Sequence, residues 1–222
     1  TIAFNKVNLT ATGDGFTING VNSESDLPGL CQVYNNMSSV VSGSAFYLSG
    51  NRRLQFVYNT GYSAGTTASS HHAIKLFGGD SITVQNNIGV ANAGRAYSET
   101  FYIPIVNGDY NNYYTNGTEL AYRANTPYAD LASWQAGTNL DSNSLSINPL
   151  FVSSSDLHIL ASGLHGAAVP QAGITTDIDN QLRDAVAPDI GADEIGTEPF
   201  DAGILNVLPE MPFARGLQDV KA

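Results

Sequence analysis

Five tyrosines and a lysine in the first half of the chain, Tyr34, Tyr47, Tyr58, Lys75, Tyr102 and Tyr110, recur at spacings that suit outward-facing strand positions. Flat aromatic faces with hydroxyl tips are what sugar rings pack on, so the series is a candidate carbohydrate surface. The same rings also stabilise a solvated sheet with no ligand at all. A second set is acidic: Asp177, Asp179, Asp189, Asp193 and Glu194 are the densest group of oxygen ligands in the chain. Hard cations take such carboxylates, and Asp177 with Asp179 at i, i+2 could share one calcium ion. That spacing is not a calcium loop, and Arg183 is a competing partner through a bidentate pair. No other cofactor is indicated. The adjacent His71 and His72 point to opposite sides of an extended chain, which disfavours a shared metal.

The elements that would position these residues come from two interleaved repeats. Gly15-Phe16-Thr17-Ile18, Ala45-Phe46-Tyr47-Leu48, Ala73-Ile74-Lys75-Leu76 and Thr100-Phe101-Tyr102-Ile103 share one pattern and recur every 27 to 30 residues. Val33-Tyr34-Asn35-Asn36, Val57-Tyr58-Asn59-Thr60, Val84-Gln85-Asn86-Asn87 and Asp109-Tyr110-Asn111-Asn112 form a second series at 24 to 27. Two registers sharing a loose period predict a coiled sheet. A strand with period-two alternation buries one face only, and stacking successive turns gives those faces a shared interior. Thr17, Tyr47, Lys75 and Tyr102 should then stack on one wall, and Tyr34, Tyr58, Gln85 and Tyr110 on another. Asn35, Asn59, Asn86 and Asn111 read as an asparagine ladder at a bend. In Leu54-Gln55-Phe56-Val57 both parities are apolar, so spacing leaves open which side of the wall Asn59 faces. Arg52 aligns about one rung from Asp80.

Composition narrows the class. With 13% charged residues and 22 glycines the chain reads as turn-rich, all-β and extracellular, secreted or at the cell surface. A net charge of -11 disfavours nucleic acid and anionic membranes as partners, and no apolar run long enough to span a membrane is present. Acidic polysaccharide would be repelled unless calcium intervened. The single cysteine, Cys31, reads as a small buried hydrophobe. Thr1 opens directly on strand-like residues, which reads as a piece of something longer. Residues 22–29 read as a protruding polar loop. Thr126-Pro127 reads as the start of one short helix carrying Trp134, with Gly137 at its end, lying against the coil as a cover.

Beyond that helix come Asn148-Pro149-Leu150-Phe151, Asp156-Leu157-His158-Ile159, Asp177-Ile178-Asp179 with Arg183, and Pro188-Asp189-Ile190-Gly191-Ala192-Asp193-Glu194. In this order they resemble the C-terminal part of secreted bacterial proteins with right-handed parallel β-helix repeats, of the pectate-lyase-like superfamily fold. The resemblance covers about residues 100–195, with Asn180 where a glycine is usual. Residues 196–222 resemble the opening strands of an immunoglobulin-like module that follows β-helices in large surface proteins of gliding bacteria. The expectation is thus an all-β, right-handed parallel β-helix (solenoid) over residues 1–195, with a C-terminal cap at about 126–195 that includes one short helix. Residues 196–222 would be a linker or the start of that second module.

The outward tyrosines and the lack of a catalytic constellation point to a non-catalytic secreted or surface module, structural or adhesive, with polysaccharide or surface glycan, or other modules or subunits of a larger surface protein, as partners. The alternative is a polysaccharide lyase or glycoside hydrolase whose site lies on the outer wall near Lys75 or in upstream turns. Polysaccharide lyases on this fold use Arg or Lys to take a proton beside a sugar carboxylate, often with calcium, and Lys75, Arg52, Arg53 and Arg95 are the candidate bases. None stands in a recognisable lyase motif, and no paired carboxylates share an outward strand position as a glycosidase would need.

Overall fold

The computed structural model describes residues 1–20, 31–67, 70–101 and 105–195. The chain is a parallel β-solenoid of about four turns built on three sheets. The first holds β1 (Ile2–Ala3), β4 (Cys31–Tyr34), β7 (Leu54–Val57), β10 (Ile82–Gln85) and β13 (Ile105–Asp109). The second holds β2 (Lys6–Thr12), β5 (Met37–Ser42), β8 (Thr60–Ser63), β11 (Ile88–Ala91) and β14 (Asn112–Thr115). The third holds β3 (Phe16–Asn19), β6 (Ser44–Arg52), β9 (His72–Asp80), β12 (Arg95–Glu99), β15 (Ala121–Arg123) and β16 (Thr126–Tyr128). Within these three sheets pairing is parallel, apart from β16, which folds back antiparallel on β15. Among the described residues no helix is long and apolar enough to cross a membrane.

The core is the pile of inward residues. Phe16, Phe46, Ile74 and Tyr97 are successive register partners in the third sheet. Phe46 stacks on Phe16 at 5.2 Å and meets Phe56 edge-on at 5.1 Å. Tyr97, not Phe101, takes the fourth place, and Phe101 is 54% exposed. The reason lies in the neighbours: the Tyr97 ring stacks on Tyr113 at 5.1 Å and meets Trp134 at 5.4 Å. The same rung brings Glu99 opposite Leu76, and this buried carboxylate is held by Arg123 at 3.1 Å and by the Tyr97 hydroxyl at 3.1 Å. Cys31 is half-buried against this core, and Arg52 and Asp80 are register partners.

The second series also shifts. Tyr34 pairs with Val57, which pairs in turn with Gln85, so Tyr34 and Tyr58 do not share a column. What recurs is a left-handed residue followed by an asparagine, exposed at Asn5 in the first turn and buried at Asn36, Asn59, Asn87 and Asn111. Phe4, Asn35, Tyr58, Asn86 and Tyr110 have φ between 50° and 61°, and the asparagines after them form the ladder. Asn5 donates to Asn36 (2.8 Å), Asn36 to Asn59 (2.9 Å), Asn59 to Asn87 (3.1 Å), Asn87 to Asn111 (3.1 Å) and Asn111 to Asp141 (2.9 Å). The ladder therefore runs through Asn36 and Asn87, not Asn35 and Asn86. Each amide also bonds backbone groups that the bend leaves without a strand partner, as Asn59 does with the carbonyls of Val33 and Val57.

Thr126-Pro127 belongs to β16, and the helix α1 (Leu131–Thr138) begins after Asp130, whose carboxylate accepts the Ser133 N–H in a capping box. Asn139, left-handed at φ 57°, ends it in place of Gly137. Trp134 is fully buried, closes the end of the core, and donates Nε1–H to Asp141, the foot of the ladder, at 2.7 Å.

Residues 145–195 lie along the side of the solenoid, not over its end. They start beside β14, where Asn112 and Ile147 exchange two hydrogen bonds, and reach back to Tyr58, Asn35 and Lys6. Gly191 shows how closely this layer docks. Its φ is 101°, its N–H donates to the Asn86 carbonyl at 2.9 Å, and a Cβ there would lie 2.5 Å from Ile88 Cδ1.

Candidate functional site

The layer packs on the second sheet and leaves the outward side of the third in contact with solvent. Register places Thr17, Tyr47, Lys75, Ser98 and Tyr122 in one outward column. The Lys75 ammonium stands 5.4 Å above the Tyr47 ring. Two residues further along β9, Phe77 is also outward, because alternation from Ile74 and Leu76 inward puts Lys75 and Phe77 on the other face. The Phe77 ring lies 6.3 Å from Tyr47 and 5.0 Å from Phe101. Phe77 is 38% and Phe101 54% exposed, so three rings form a continuous aromatic run in contact with solvent. The outward column carries no carboxylate.

Of the six side chains singled out above, the structure brings together Tyr47 and Lys75. Tyr34 is half-buried and edge-on to Phe4 at 5.6 Å. Tyr58 is fully buried beneath the lateral layer, where its hydroxyl donates to the Val169 carbonyl at 2.6 Å. Burial pushes its phenol up to about 12, against the opposing pull of Arg183. Tyr110 is half-buried at a bend, and Tyr102 lies outside the described residues. Phe77 was legible from the alternation in Ala73-Ile74-Lys75-Leu76-Phe77. Phe101 was hidden by its fit to the inward pattern.

The candidate bases are also spread. Arg95 pairs with Glu119 at 2.6 Å and covers the Tyr122 ring at 4.0 Å. Arg52 ends β6 opposite Asp80 and Arg53 sits in a left-handed turn after it, while Lys75 lies within the outward column beside Tyr47. His71 bonds Ser42 at 3.0 Å while the adjacent His72 is buried, so the two imidazoles face different surroundings.

The acidic motifs form a clasp within the lateral layer. Asp177 is buried, with Oδ1 accepting the N–H groups of Asp179 (2.9 Å) and Gln181 (2.8 Å) and Oδ2 that of Glu194 (3.0 Å). Asp179 turns outward to Lys6 and His158. With both Asp177 oxygens engaged by backbone donors, the two carboxylates do not fit a shared calcium ion. Arg183 pairs with Glu194 at 3.1 Å and not with Asp177, donates to Asn35 Oδ1 at 2.9 Å, and lies over the Tyr58 ring. The asparagine at 180 adopts φ 66°, the conformation a glycine would take there.

No protein-family model, no curated protein and no solved structure matches this chain.

Proposed function

We propose that this chain is a non-catalytic module of a secreted or cell-surface protein that holds polysaccharide against Tyr47, Phe77 and Phe101. The observation that carries the reading is the solvent-facing run of three rings on a rigid parallel sheet. Tyr47 and Phe77 stand on strands and Phe101 in the bend just after β12, and each ring touches the next, so a sugar chain lying across them meets adjoining aromatic faces. A sugar covers only part of each exposed ring, so each contact is weak by itself, which suits an adhesive module acting through several copies or neighbouring modules. The resemblance to β-helix regions of large bacterial surface proteins supports the same setting. Affinity electrophoresis against a panel of soluble polysaccharides tests it. Retardation should weaken in Phe77→Ala and Phe101→Ala, and retardation unchanged in both variants would remove the carbohydrate reading.

One observation favours a second reading, a polysaccharide lyase: Lys75 stands at the centre of the open face, where a base would meet a uronate. Incubation with uronate polymers would then produce unsaturated-sugar absorbance that Lys75→Ala abolishes.

A further inference from the structure

Where the lateral layer meets the first turn, side chains from four segments converge on one point. His158, Asp179 and Asp193 each offer a ligand atom, and these atoms lie within 4.8 Å of one another. His158 Nε2 is 2.6 Å from Asp179 Oδ2, and the Lys6 ammonium is 2.7 Å from Asp179 Oδ1 and 3.3 Å from the same Nε2. We propose that His158, Asp179 and Asp193 bind one divalent transition-metal ion of the zinc type, and that the Lys6 ammonium competes with it for the same nitrogen and oxygen ligands.

The histidine is what separates this group from a plain acidic patch. Its Nδ1 donates to the Asp156 carboxylate and its Nε2 to Asp179, so a metal ion would take the place of the Nε2 proton while Asp156 keeps the ring oriented. An imidazole held on its far side by a carboxylate is the arrangement that orients metal-binding histidines and raises their basicity. Asp193 is held as well: its Oδ2 accepts the Ile159 N–H at 3.0 Å. Lys6 shows that this point already attracts positive charge, since it reaches Asp179 from the start of β2, far away in sequence.

One nitrogen and two carboxylate oxygens suit zinc better than calcium, which asks for six or more oxygens. A tetrahedral ion needs its ligands roughly 3.3 Å apart, so side-chain rotations of about 1 Å complete the site and a water takes the fourth position. A small cleft of about 80 Å³, lined in part by Val7, Met37, Asp156 and Leu157, adjoins the cluster, and the half-exposed Lys6 side chain is free to turn to solvent when displaced. The inference is independent of glycan binding, which concerns the third sheet.

The test is calorimetric titration of Zn2+ into the chain after dialysis against a chelator. One equivalent should bind. His158→Ala should weaken binding at least tenfold, Asp156→Asn by about tenfold, and Lys6→Met should tighten it at least threefold by removing the competitor. Near-UV circular dichroism checks that the variants fold. Should His158→Ala fail to fold, Lys6→Met decides by itself, because Lys6 is an exposed side chain. Absence of binding at millimolar Zn2+, binding unaltered in a folded His158→Ala, or no tightening in Lys6→Met would each overturn the proposal.

Discussion

The Arg183 guanidinium lies 4.0 Å above the ring of Tyr58, a residue 125 positions earlier, and joins the lateral layer to the third turn of the solenoid. Both side chains are buried, and the same guanidinium pairs with buried Glu194. Removing Arg183 therefore leaves a carboxylate without its cation. Arg183→Met should destabilise the chain by about 3–5 kcal/mol in urea unfolding, and Glu194→Gln in the same background should restore part of the loss. The Tyr58 phenol should ionise near 12 in an absorbance titration. Because Arg183 pulls that value down, it should rise further in Arg183→Met.

The ladder predicts a gradient of cost. Asn59 is buried and bonds to two carbonyls and two other ladder residues. Asn59→Ala should cost about 2–4 kcal/mol through unsatisfied backbone groups. Asn8→Ala, at an exposed strand position, should stay within about 0.5 kcal/mol by the same unfolding measurement.

Gly191 predicts a failure confined to the lateral layer. An alanine Cβ would meet Ile88 Cδ1 at 2.5 Å and Thr60 Oγ1 at 2.9 Å in a left-handed backbone conformation. Gly191→Ala should cost about 2–4 kcal/mol. Limited proteolysis should cut within residues 145–195 while the coil stays intact.

The open aromatic face should separate binding from stability. Phe77→Ala and Phe101→Ala should change stability by less than about 1 kcal/mol, since both rings keep contact with water. Phe46→Ala, fully buried between Phe16 and Phe56, should cost about 3–5 kcal/mol. Thermal melts compare the three directly.

His158 sets a pH dependence. Partial burial lowers its pKa, but hydrogen bonds to Asp156 and then Asp179 outweigh it and hold the imidazole above its usual value. A group raised on folding stabilises fully below its unfolded value, about 6.5, and that stabilisation fades as pH rises through the folded value. In chelator-containing buffer, the melting-temperature difference between the native chain and His158→Gln should thus be largest at about pH 5–6 and shrink above neutrality. At the acid end Asp156 and Asp179, both held below the usual carboxylate range, lose their contribution as pH falls through their folded values.

Much of the fold was legible because local alternation and a long-range period point the same way. Phe16, Phe46 and Ile74 could share an interior only by stacking, and they do. The fourth turn broke the pattern. Tyr97 and Phe101 are both aromatic within period-two stretches, and the choice between them rests on Tyr113 and Trp134, which spacing does not reveal. The ladder slipped by one residue for a related reason: Asn35-Asn36 and Asn86-Asn87 offer two amides each, and only the left-handed angle at the first turns the second inward.

By itself, then, the amino-acid order settled that the chain is all-β and coils in parallel, since half-apolar strands repeated every 24 to 30 residues bury their inner faces by stacking turn on turn. Which tyrosines meet water was settled by tertiary structure, because exposure depends on what lies over a strand. Tyr47 and Tyr58 look alike in their own segments. One faces solvent beside Phe77, and the other lies beneath Arg183, because residues 145–195 dock on one side of the coil and leave another open.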